Sequence, residues 1–430
     1  MQNTYEQVQA EKLKRIVAYA FENFSYYRKK ISQVGLKPTD IQSLGDLDKL
    51  PLTVKEELKE KFDFDEIFYR LAGKLYYIGF TTGTVSIPMP VYYTHDDFER
   101  WEKNLAKGLS MAGITNKDVA QITFGRCGIA CIVLLGAIRR TGATGIPIDA
   151  DSGTASELLK RMEKFHVSFL LTFPSIVREF CRIVESERVK GPCYLRKIFL
   201  MGESWSETFR RRVEDTLNVE VYDIYGSTEV GMVGVECSAH EGLHLLPDQV
   251  LVEILDPNTG KPVSRQEEGE IVVTTFWKEA LPLIRYRTGD IASKIEGSCC
   301  CGLDLPRISR IIGRVSDLIF IGSTKIHPIA VEAAIIDTCN SALNYQIVLS
   351  QERGKDKIKL VLEAPEDVME KQNLKVALSE RISNLNEDLA SLIKANLVFP
   401  PEVEFVPLNS LTRKGGKIAK ILDLRKSEPR

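Results

Sequence analysis

One loop near the N-terminus combines glycines and hydroxyls in a pattern suited to binding phosphate. It follows a strand-like run and reads Gly-Phe-Thr-Thr-Gly-Thr over residues 79–84. Backbone N–H groups that glycine leaves accessible, together with hydroxyls, form a cradle for phosphate oxygens. Taken alone, the segment is better explained as a threonine-rich turn.

Five further segments place glycine beside a carboxylate, a cation or an aromatic ring. They are Gly-Glu-Ser at 202–204, Tyr-Asp-Ile-Tyr-Gly-Ser-Thr-Glu at 222–229, Tyr-Arg-Thr-Gly-Asp at 286–290, Gly-Arg-Val-Ser-Asp at 313–317 and Arg-Lys-Gly-Gly-Lys at 413–417. Each has an ordinary explanation, such as a capped strand end, a β-turn or a solvated basic tail. Five of them in this order are not well explained as coincidence, and their company favours the phosphate-binding interpretation of the loop at 79–84.

A second set of residues has the chemistry of a metal site. Cys237 and His240 form a Cys-x-x-His pair, His244 follows, and Cys299 and Cys301 flank a third cysteine before a glycine. This spacing suits four-coordinate structural zinc, although buried thiols with two surface histidines would also explain it. The best four ligands are Cys237, His244, Cys299 and Cys301, with His240 the rival histidine and the middle cysteine directed away from the metal.

The elements that must position these residues alternate between strand and helix patterns over residues 75–223. This alternation predicts an α/β fold with a largely parallel sheet covered on both faces. Beyond residue 243, alternating apolar runs separated by turn residues predict antiparallel strands. We therefore expect a large N-terminal domain of mixed and parallel sheets at 1–316, with a β-rich subdomain at 243–312, and a small, mobile α+β lid domain at 317–430.

The lid pattern can be divided into elements. It predicts a helix at Pro328–Cys339, strands at Tyr345–Leu349 and Lys357–Leu362, one long amphipathic helix at Asp367–Ile393 and a last strand at Val403–Val406. The absence of a low-complexity linker predicts a short hinge between the two domains.

Composition excludes several classes of function. The 430 residues are 44% hydrophobic and 27% charged, which is typical of a globular protein with an ample core. A formal net charge of −2 gives no electrostatic reason to expect a nucleic-acid partner. No apolar run reaches the roughly 18 residues that span a bilayer, and the N-terminus is too polar for a signal peptide. The sequence thus predicts a cytoplasmic protein without a membrane partner, and it is compatible with a homodimer.

Taken together, YDIYGSTEVG, YRTGD, GRVSDLIFIGSTKIHP and GGKIAK resemble the acyl- and aryl-CoA synthetase superfamily, and within it the phenylacetate–CoA ligase family. The resemblance runs from about residue 46 to the end. It implies an AMP-forming acid–thiol ligase that uses ATP and Mg²⁺ to convert a carboxylic acid, of aryl or arylacetic type, to an acyl-AMP. Transfer to coenzyme A would give acyl-CoA, AMP and pyrophosphate. The alternatives are an adenylating ligase with an amine or carrier-protein acceptor, and an AMP-binding regulatory protein that has lost turnover.

The resemblance also assigns roles to individual residues. Lys417 would bridge the substrate carboxylate and the α-phosphate, and Glu229 would hold Mg²⁺. Asp290, assisted by Arg314, would bind the ribose, and Asp317 would be the hinge. The expected nucleotide-binding residues are Thr81, Thr82, Gly83, Thr84, Gly202, Glu203, Ser204, Asp223, Tyr225, Gly226, Ser227, Thr228, Glu229, Asp290, Arg314 and Lys417. The expected acyl pocket is lined by Phe124, Gly125, Arg126, Gly128, Gly226 and Val230.

The phosphate loop departs from the family pattern. Where that pattern reads Thr-Gly-Lys, this chain has Val85, Ser86 and Ile87, so a flexible glycine and a phosphate-facing cation are missing together. The sequence therefore predicts either that pyrophosphate is held less tightly or that another cation takes the place. Arg126 and Arg285 are the candidates nearest to the motifs.

Overall fold

The computed structural model describes residues 2–81, 88–124, 128–149, 154–187, 191–322, 324–414 and 417–426. The helices in these residues are α1 (Gln2–Asn23), α2 (Ser25–Gln33), α3 (Lys55–Lys61), α4 (Phe64–Arg70), α5 (His95–Met111), α6 (Ile129–Thr141), α7 (Ala155–Lys164), α8 (Pro174–Glu187), α9 (Glu207–Leu217), α10 (Pro328–Cys339), α11 (Glu366–Met369), α12 (Gln372–Ser383) and α13 (Glu387–Lys394). The strands are β1 (Leu75–Phe80), β2 (Pro90–Thr94), β3 (Val119–Phe124), β4 (Thr144–Asp149), β5 (Phe169–Thr172), β6 (Lys197–Met201), β7 (Glu220–Ser227), β8 (Gly231–Glu236), β9 (Leu243–Leu245), β10 (Val250–Leu255), β11 (Gly269–Thr275), β12 (Tyr286–Ala292), β13 (Lys294–Ile295), β14 (Arg307–Ile308), β15 (Gly313–Arg314), β16 (Ile319–Ile321), β17 (Thr324–Ile326), β18 (Tyr345–Glu352), β19 (Lys355–Glu363), β20 (Glu402–Val406), β21 (Arg413–Lys414), β22 (Lys417–Ile418) and β23 (Ile421–Asp423).

The chain divides into two compact units. The first contains residues 1–122, 127–148 and 222–311, and the second contains residues 123–126, 149–221 and 312–430. The second unit thus combines a segment from the middle of the chain with the C-terminal region that starts near the expected hinge. Among the described residues, no helix has both the length and the hydropathy needed to cross a lipid bilayer.

Antiparallel pairing dominates the first unit. β1 and β2 form a hairpin, and β10, β11 and β12 pair antiparallel. A second antiparallel series joins β7 to β8, β8 to β9, β9 to β14 and β14 to β13. The antiparallel strands predicted beyond residue 243 are therefore confirmed, and the change from parallel pairing begins earlier, at the β7–β8 hairpin.

The start of α3 is fixed against β12 by a buried threonine. Thr53 donates its backbone N–H to the Arg285 carbonyl at 2.9 Å and accepts from the N–H of Arg287 at 2.9 Å. The Thr53 hydroxyl also donates to the Ile284 carbonyl at 2.7 Å. Because these bonds fix the residue two positions before α3, they determine where the first side chain of that helix, Lys55, lies.

The second unit contains parallel pairing and the C-terminal sheet. β5 and β6 pair parallel, and a four-stranded sheet runs in the order β20–β19–β18–β23. The buried core of its C-terminal part is mostly aliphatic, with Val331 and Ile335 of α10 in one cluster with Ile347, Leu360 and other residues of the sheet. The predicted α/β class with a smaller α+β C-terminal region is confirmed.

The elements predicted for the C-terminal region are confirmed with one exception. α10 has the predicted bounds, with Pro328 at its first position and Asn340, at φ 49°, ending it in the left-handed region. The single long helix predicted at 367–393 is wrong, because α11, α12 and α13 occupy this stretch. The break before α13 has a physical cause, since the Asn386 side chain accepts from the N–H of Leu389 at 2.8 Å and caps a new helix.

Candidate active site

The β7–β8 hairpin presents Glu229 at its tip. A Cβ on Gly226 would lie 2.4 Å from the Gly231 carbonyl oxygen, so only glycine allows the two strands to approach this closely. The Ser227 hydroxyl accepts from the N–H of Glu229 at 3.2 Å and of Val230 at 3.4 Å. The glycine and the hydroxyl of the Tyr-Gly-Ser-Thr-Glu motif therefore shape the turn that carries the carboxylate.

The Glu229 carboxylate is buried and paired with a lysine from α3. The Lys55 ammonium lies 2.8 Å from Glu229 Oε1, and the Tyr286 hydroxyl lies 3.4 Å from the same oxygen. Burial by itself raises the pKa of Glu229, but the charge and hydrogen bond of Lys55 outweigh it, so that the pKa is lowered. The carboxylate is thus ionised at neutral pH.

The backbone of the same turn is fixed by a second lysine. Lys278 is buried and donates to the Glu229 carbonyl at 2.7 Å, and its ammonium lies 4.4 Å from the centroid of the Tyr93 ring. Tyr93 in turn donates its hydroxyl to the Thr228 carbonyl. Desolvation lowers the pKa of Lys278 to about 7. The carbonyls of Thr228 and Glu229 are therefore both bound, which fixes the backbone that carries the Glu229 carboxylate.

Two residues predicted to bind the nucleoside lie together in the first unit. The Tyr225 hydroxyl on β7 donates to Asp290 Oδ2 on β12 at 2.9 Å. Both side chains are mostly buried. Asp223, two residues before Tyr225, instead accepts from Arg310 Nε at 3.3 Å, an ion pair that fixes its carboxylate.

The phosphate loop starts beside the Glu229 turn. Thr81 and Met89 close the base of the loop, since Thr81 donates its N–H to the Met89 carbonyl at 3.0 Å and its hydroxyl accepts from the N–H of Met89 at 3.0 Å. A Cβ on Gly79 would lie 3.6 Å from Thr228 Cγ2, which places β1 alongside the turn. The remaining predicted loop residues, Thr82, Gly83 and Thr84, and the substituted positions Val85, Ser86 and Ile87, lie outside the described residues.

The second unit carries the other predicted nucleotide residues. Gly202 follows β6 with φ 76°, and the Glu203 carboxylate accepts from the N–H and the hydroxyl of Ser175 at 3.1 and 2.9 Å. Glu203 therefore caps the first turn of α8, a structural role that the motif alone does not reveal. Arg314 is exposed on β15, and Lys417 begins β22, which pairs antiparallel with β21.

The predicted acyl-pocket residues are divided between the two units. In the second unit, Phe124 is buried at the end of β3, and its ring packs edge-on against Phe173 with 4.6 Å between centroids. In the first unit, Gly128 precedes α6, and Val230 is fully buried after the Glu229 turn. Gly125 and Arg126 lie outside the described residues.

Arg285 is not the substitute cation that sequence proximity suggested. Its guanidinium pairs with both oxygens of Glu253, at 2.9 and 3.1 Å, and donates to the carbonyls of Leu50 and Asp48 at 2.6 and 3.2 Å. These bonds occupy the guanidinium, which connects the N-terminal segment to the sheet of β10–β12. The lysine at the Glu229 carboxylate is Lys55, which could not be predicted from the sequence because nothing in Leu-Thr-Val-Lys-Glu-Glu marks it as a site residue.

The four best zinc ligands predicted from the sequence lie together. The donor atoms of Cys237, His244, Cys299 and Cys301 all lie within 4.8 Å of one another. Cys237 Sγ is 3.6 Å from Cys299 Sγ, and Cys301 Sγ is 3.4 Å from His244 Nε2. Ligands at tetrahedral zinc bond lengths would be about 3.5–3.8 Å apart, so the donor set fits zinc.

Strand pairing brings these four ligands together. His244 on β9 lies opposite Arg307 on β14, Cys237 follows β8, and the other two cysteines lie in the loop between β13 and β14. Desolvation raises the pKa of the Cys237 thiol to about 12, so a bound metal would have to displace its proton. Desolvation also lowers the pKa of His244, which favours the neutral imidazole that zinc binds.

His240 was the rival histidine, and the structure places it elsewhere. Its φ is 55°, its Nδ1 lies 3.4 Å from Glu236 Oε2, and its ring centroid lies 5.0 Å from that of Tyr222. In this structure it is a partner of Glu236, and the histidine that lies with the three cysteines is His244. The exposed thiol of Cys300 lies 4.0 Å from Glu241 Oε1, and it does not belong to the group of four around His244.

Comparison with known proteins identifies the family. Residues 39–277 match the AMP-binding enzyme family, and residues 323–425 match the AMP-binding enzyme C-terminal domain. The chain is 30% identical to the phenylacetate-coenzyme A ligase of Thermus thermophilus, over 97% of this chain and 96% of that protein. It is also 30% identical to the Escherichia coli K12 phenylacetate-coenzyme A ligase, over 97% and 94% of the two chains.

The chain belongs to the AMP-binding enzyme family. Its predicted place in the phenylacetate–CoA ligase branch of that family and its predicted class, an AMP-forming acid–thiol ligase, are confirmed by these relatives. The fold is also that of a 2-hydroxyisobutyryl-CoA ligase crystallised in its postadenylation state with 2-HIB-AMP, at a TM-score of 0.85 and 20% identity, covering 97% of this chain and 89% of that one.

Proposed function

We propose that this protein activates an aryl or arylacetic acid with ATP and transfers the acyl group to coenzyme A. Its relatives over nearly the whole chain are named phenylacetate-coenzyme A ligases. Buried Phe124, in edge-on contact with half-buried Phe173, adds aromatic surface at the predicted acyl-pocket segment, which supports an aromatic acid.

In the first half-reaction, a substrate carboxylate oxygen attacks the α-phosphorus of ATP and pyrophosphate leaves. Negative charge grows on the phosphate oxygens during this step, so preorganised cations and N–H groups accelerate it. We assign Lys417 to the α-phosphate and the carboxylate, and the loop that begins at Thr81 to the pyrophosphate. Tyr225 and Asp290, already joined by a hydrogen bond, are assigned to the nucleoside.

Glu229 is the residue we assign to Mg²⁺. Magnesium is usually held by one or two carboxylates together with substrate phosphates, and Glu229 offers one buried, ionised carboxylate at the tip of a rigid turn. When bound, the ion would neutralise phosphate charge. The chain itself orients the carboxylate, through Ser227 and Lys278, and balances its charge with Lys55 until ATP arrives.

In the second half-reaction, the coenzyme A thiolate attacks the acyl carbon and AMP leaves, which forms the thioester. We propose that the C-terminal region turns about Asp317 between the two steps, so that Lys417 acts in the first and withdraws for the second. Asp317 lies in a short helical turn at 315–317, where the Ser316 hydroxyl donates to its carboxylate at 2.8 Å.

The acid and the acceptor are tested with purified protein. ATP–pyrophosphate exchange over a panel of aryl, arylacetic and short aliphatic acids should be strongest with an aromatic acid. Product mass with coenzyme A and with amines then identifies the acceptor. Exchange with amide products would favour an amine ligase, and the absence of exchange with any acid, despite AMP binding, would favour a regulatory protein.

Lys55 is expected to contribute to ATP use in place of the lysine missing from the loop. If Glu229 held Mg²⁺, the Lys55 ammonium, now paired with that carboxylate, would be released to contact phosphate at the same point. Lys55→Met should therefore raise the KM for ATP or slow adenylation by about ten- to a hundred-fold. Thioester formation from a synthetic acyl-AMP should stay unchanged, because pyrophosphate has already left.

The matched control is Lys61→Met at the other end of α3, where the side chain is 56% exposed. It should leave both half-reactions unchanged. Placing the family residues in the loop, with Ser86→Gly and Ile87→Lys, should rescue the Lys55→Met variant and add little to the wild type. If Lys55→Met has no effect while the loop substitution improves the wild type, the missing cation has no substitute.

The four-ligand cluster is proposed to bind one structural zinc ion. Cys237, His244, Cys299 and Cys301 supply four protein ligands, and a site whose four positions are filled by the protein leaves none for a substrate. The ion would join the β8–β9 hairpin to the β13–β14 loop.

A further inference from the structure

Three charged side chains from distant segments of the second unit form a cluster that is buried except for the Lys420 side chain, which is 26% exposed. Arg178 of α8 pairs with Glu332 Oε1 of α10, and the ammonium of Lys420, between β22 and β23, lies 3.5 Å from the same oxygen. The side chains of Arg178 and Glu332 are 5% and 1% exposed. None of the three residues is among those assigned to ATP, the acid or coenzyme A.

The cluster is bonded to the end of the Gly-Glu-Ser motif. Glu332 Oε2 accepts from the backbone N–H of Ser206 at 2.5 Å, and Lys420 donates to the Ser204 carbonyl at 3.0 Å. The Arg178 guanidinium lies 4.3 Å from the centroid of the Phe209 ring, at the start of α9. One carboxylate therefore joins α10 of the C-terminal region to α8 and to the segment that leads from the nucleotide motif into α9.

Lys420 also fixes the segment that carries Lys417. Its carbonyl accepts from the N–H of Ile347 at 2.8 Å, and the preceding carbonyl, of Ala419, accepts from the Gln346 side chain at 2.9 Å. Both contacts hold the chain against β18 only three residues after Lys417. The position of Lys420 on β18 and on the Ser204 carbonyl therefore limits where the neighbouring strand β22, which begins at Lys417, can lie.

We propose that Glu332 is a positioning residue for acyl-AMP formation, a clasp that holds Lys420 and the Ser204–Ser206 segment together while Lys417 acts, and that opens for thioester formation. This inference rests on the proposed two-step function.

The cluster consists of charged side chains and not of apolar ones, which agrees with a contact that has to open. Although burial alone raises the pKa of Glu332, the charges of Arg178 and Lys420 lower it overall, so the carboxylate is ionised. Buried ion pairs gain little net stability, because desolvation offsets their attraction, and breaking one by removing a partner is costly. Three charges that return to water on opening thus keep the closed and open states close in free energy.

The first test is Glu332→Gln, which keeps the shape and removes the charge. Acyl-AMP formation, followed by ATP–pyrophosphate exchange, should fall about ten-fold or more. Thioester formation from a synthetic acyl-AMP should be unchanged. The control is Asp337→Asn on the same helix, whose carboxylate makes an exposed pair with Arg381 and should affect neither step.

The second test replaces the charges by apolar groups of similar size, with Arg178→Met, Glu332→Leu and Lys420→Met together. Apolar side chains lose more on exposure than charges do, so this variant should keep adenylation and slow thioester formation. Thermal unfolding shows that each variant is folded, and Lys420→Met alone replaces Glu332→Gln if the latter is not.

Equal losses of both half-reactions in Glu332→Gln would show a structural role only and overturn the clasp. A triple variant with both steps unchanged would do the same. A wild-type protein without any exchange activity would instead remove the proposed function, so the two failures are distinguishable.

Discussion

Replacing Lys417 by alanine is expected to slow acyl-AMP formation by ~10²–10³-fold, the usual effect of losing one charge-stabilising contact to a reacting group. Thioester formation from a synthetic acyl-AMP should stay largely intact, because Lys417 stabilises charge only while pyrophosphate leaves. Both rates can be measured on the same preparation, by ATP–pyrophosphate exchange and by release of AMP on addition of coenzyme A.

Lys414→Ala is the matched control for this variant. Lys414 lies directly opposite Lys417 in the pairing of β21 with β22 and carries the same charge. A general effect of positive charge in this hairpin would make the two variants alike, whereas a specific role predicts a large loss only for Lys417. Equal losses of both half-reactions in Lys417→Ala would contradict its assignment to adenylation.

Local signals in the sequence were sufficient for some elements and for the metal cluster. The bounds of α10 follow from Pro328 and Asn340, since proline favours the first helical position and asparagine tolerates the left-handed conformation that ends a helix. The cysteine cluster was predictable because thiols before a glycine at a turn can approach one ion. The helix bounds need no knowledge of how distant segments pack, whereas the four ligands meet only because β8, β9 and β14 pair.

Contacts between distant segments could not be predicted in this way. Lys55 and Glu229 are 174 residues apart in the chain, and they meet because Thr53 and the segment before it are bonded to the Arg285 region. The sequence suggested Arg285 as the cation because of its place beside a motif. Its guanidinium instead pairs with the Glu253 carboxylate and donates to the Leu50 carbonyl of the N-terminal segment.

One wrong prediction and one rival ligand show how signals compete at short range. The amphipathic pattern over 367–393 is continuous, but the cap at Asn386 starts a separate helix within it. His240 has suitable spacing from Cys237, but its left-handed backbone and the carboxylate of Glu236 take the ring away from the thiols. Periodicity and spacing are compatible with more than one local structure. Side-chain hydrogen bonds determine which of these structures forms.

The zinc cluster is expected to support the stability of the first unit and not the chemistry. Its ligands come from positions about sixty residues apart, since Cys237 and Cys299 are separated by 62 residues. An ion bound there would cross-link the β8–β9 hairpin to the β13–β14 loop, and its binding free energy would add to folding. Glu229, by contrast, lies at the opposite end of β8 from Cys237, so removal of zinc should not reach the acid-binding groups directly.

The purified protein should accordingly contain close to one zinc ion per chain by elemental analysis, and Cys299→Ser with Cys301→Ser should remove it. Loss of a cross-link of this kind should lower the apparent Tm by roughly 5–15 °C. The ranking of acids in the exchange assay should not change in the protein that stays folded.

Cys300→Ser, a change of the exposed thiol between the two ligands, is the matched control and should keep both the metal and the Tm. Zinc-free wild-type protein of the same stability would show that the four side chains are simply buried together, and a double variant with an altered acid preference would show that the cluster acts on the substrate site.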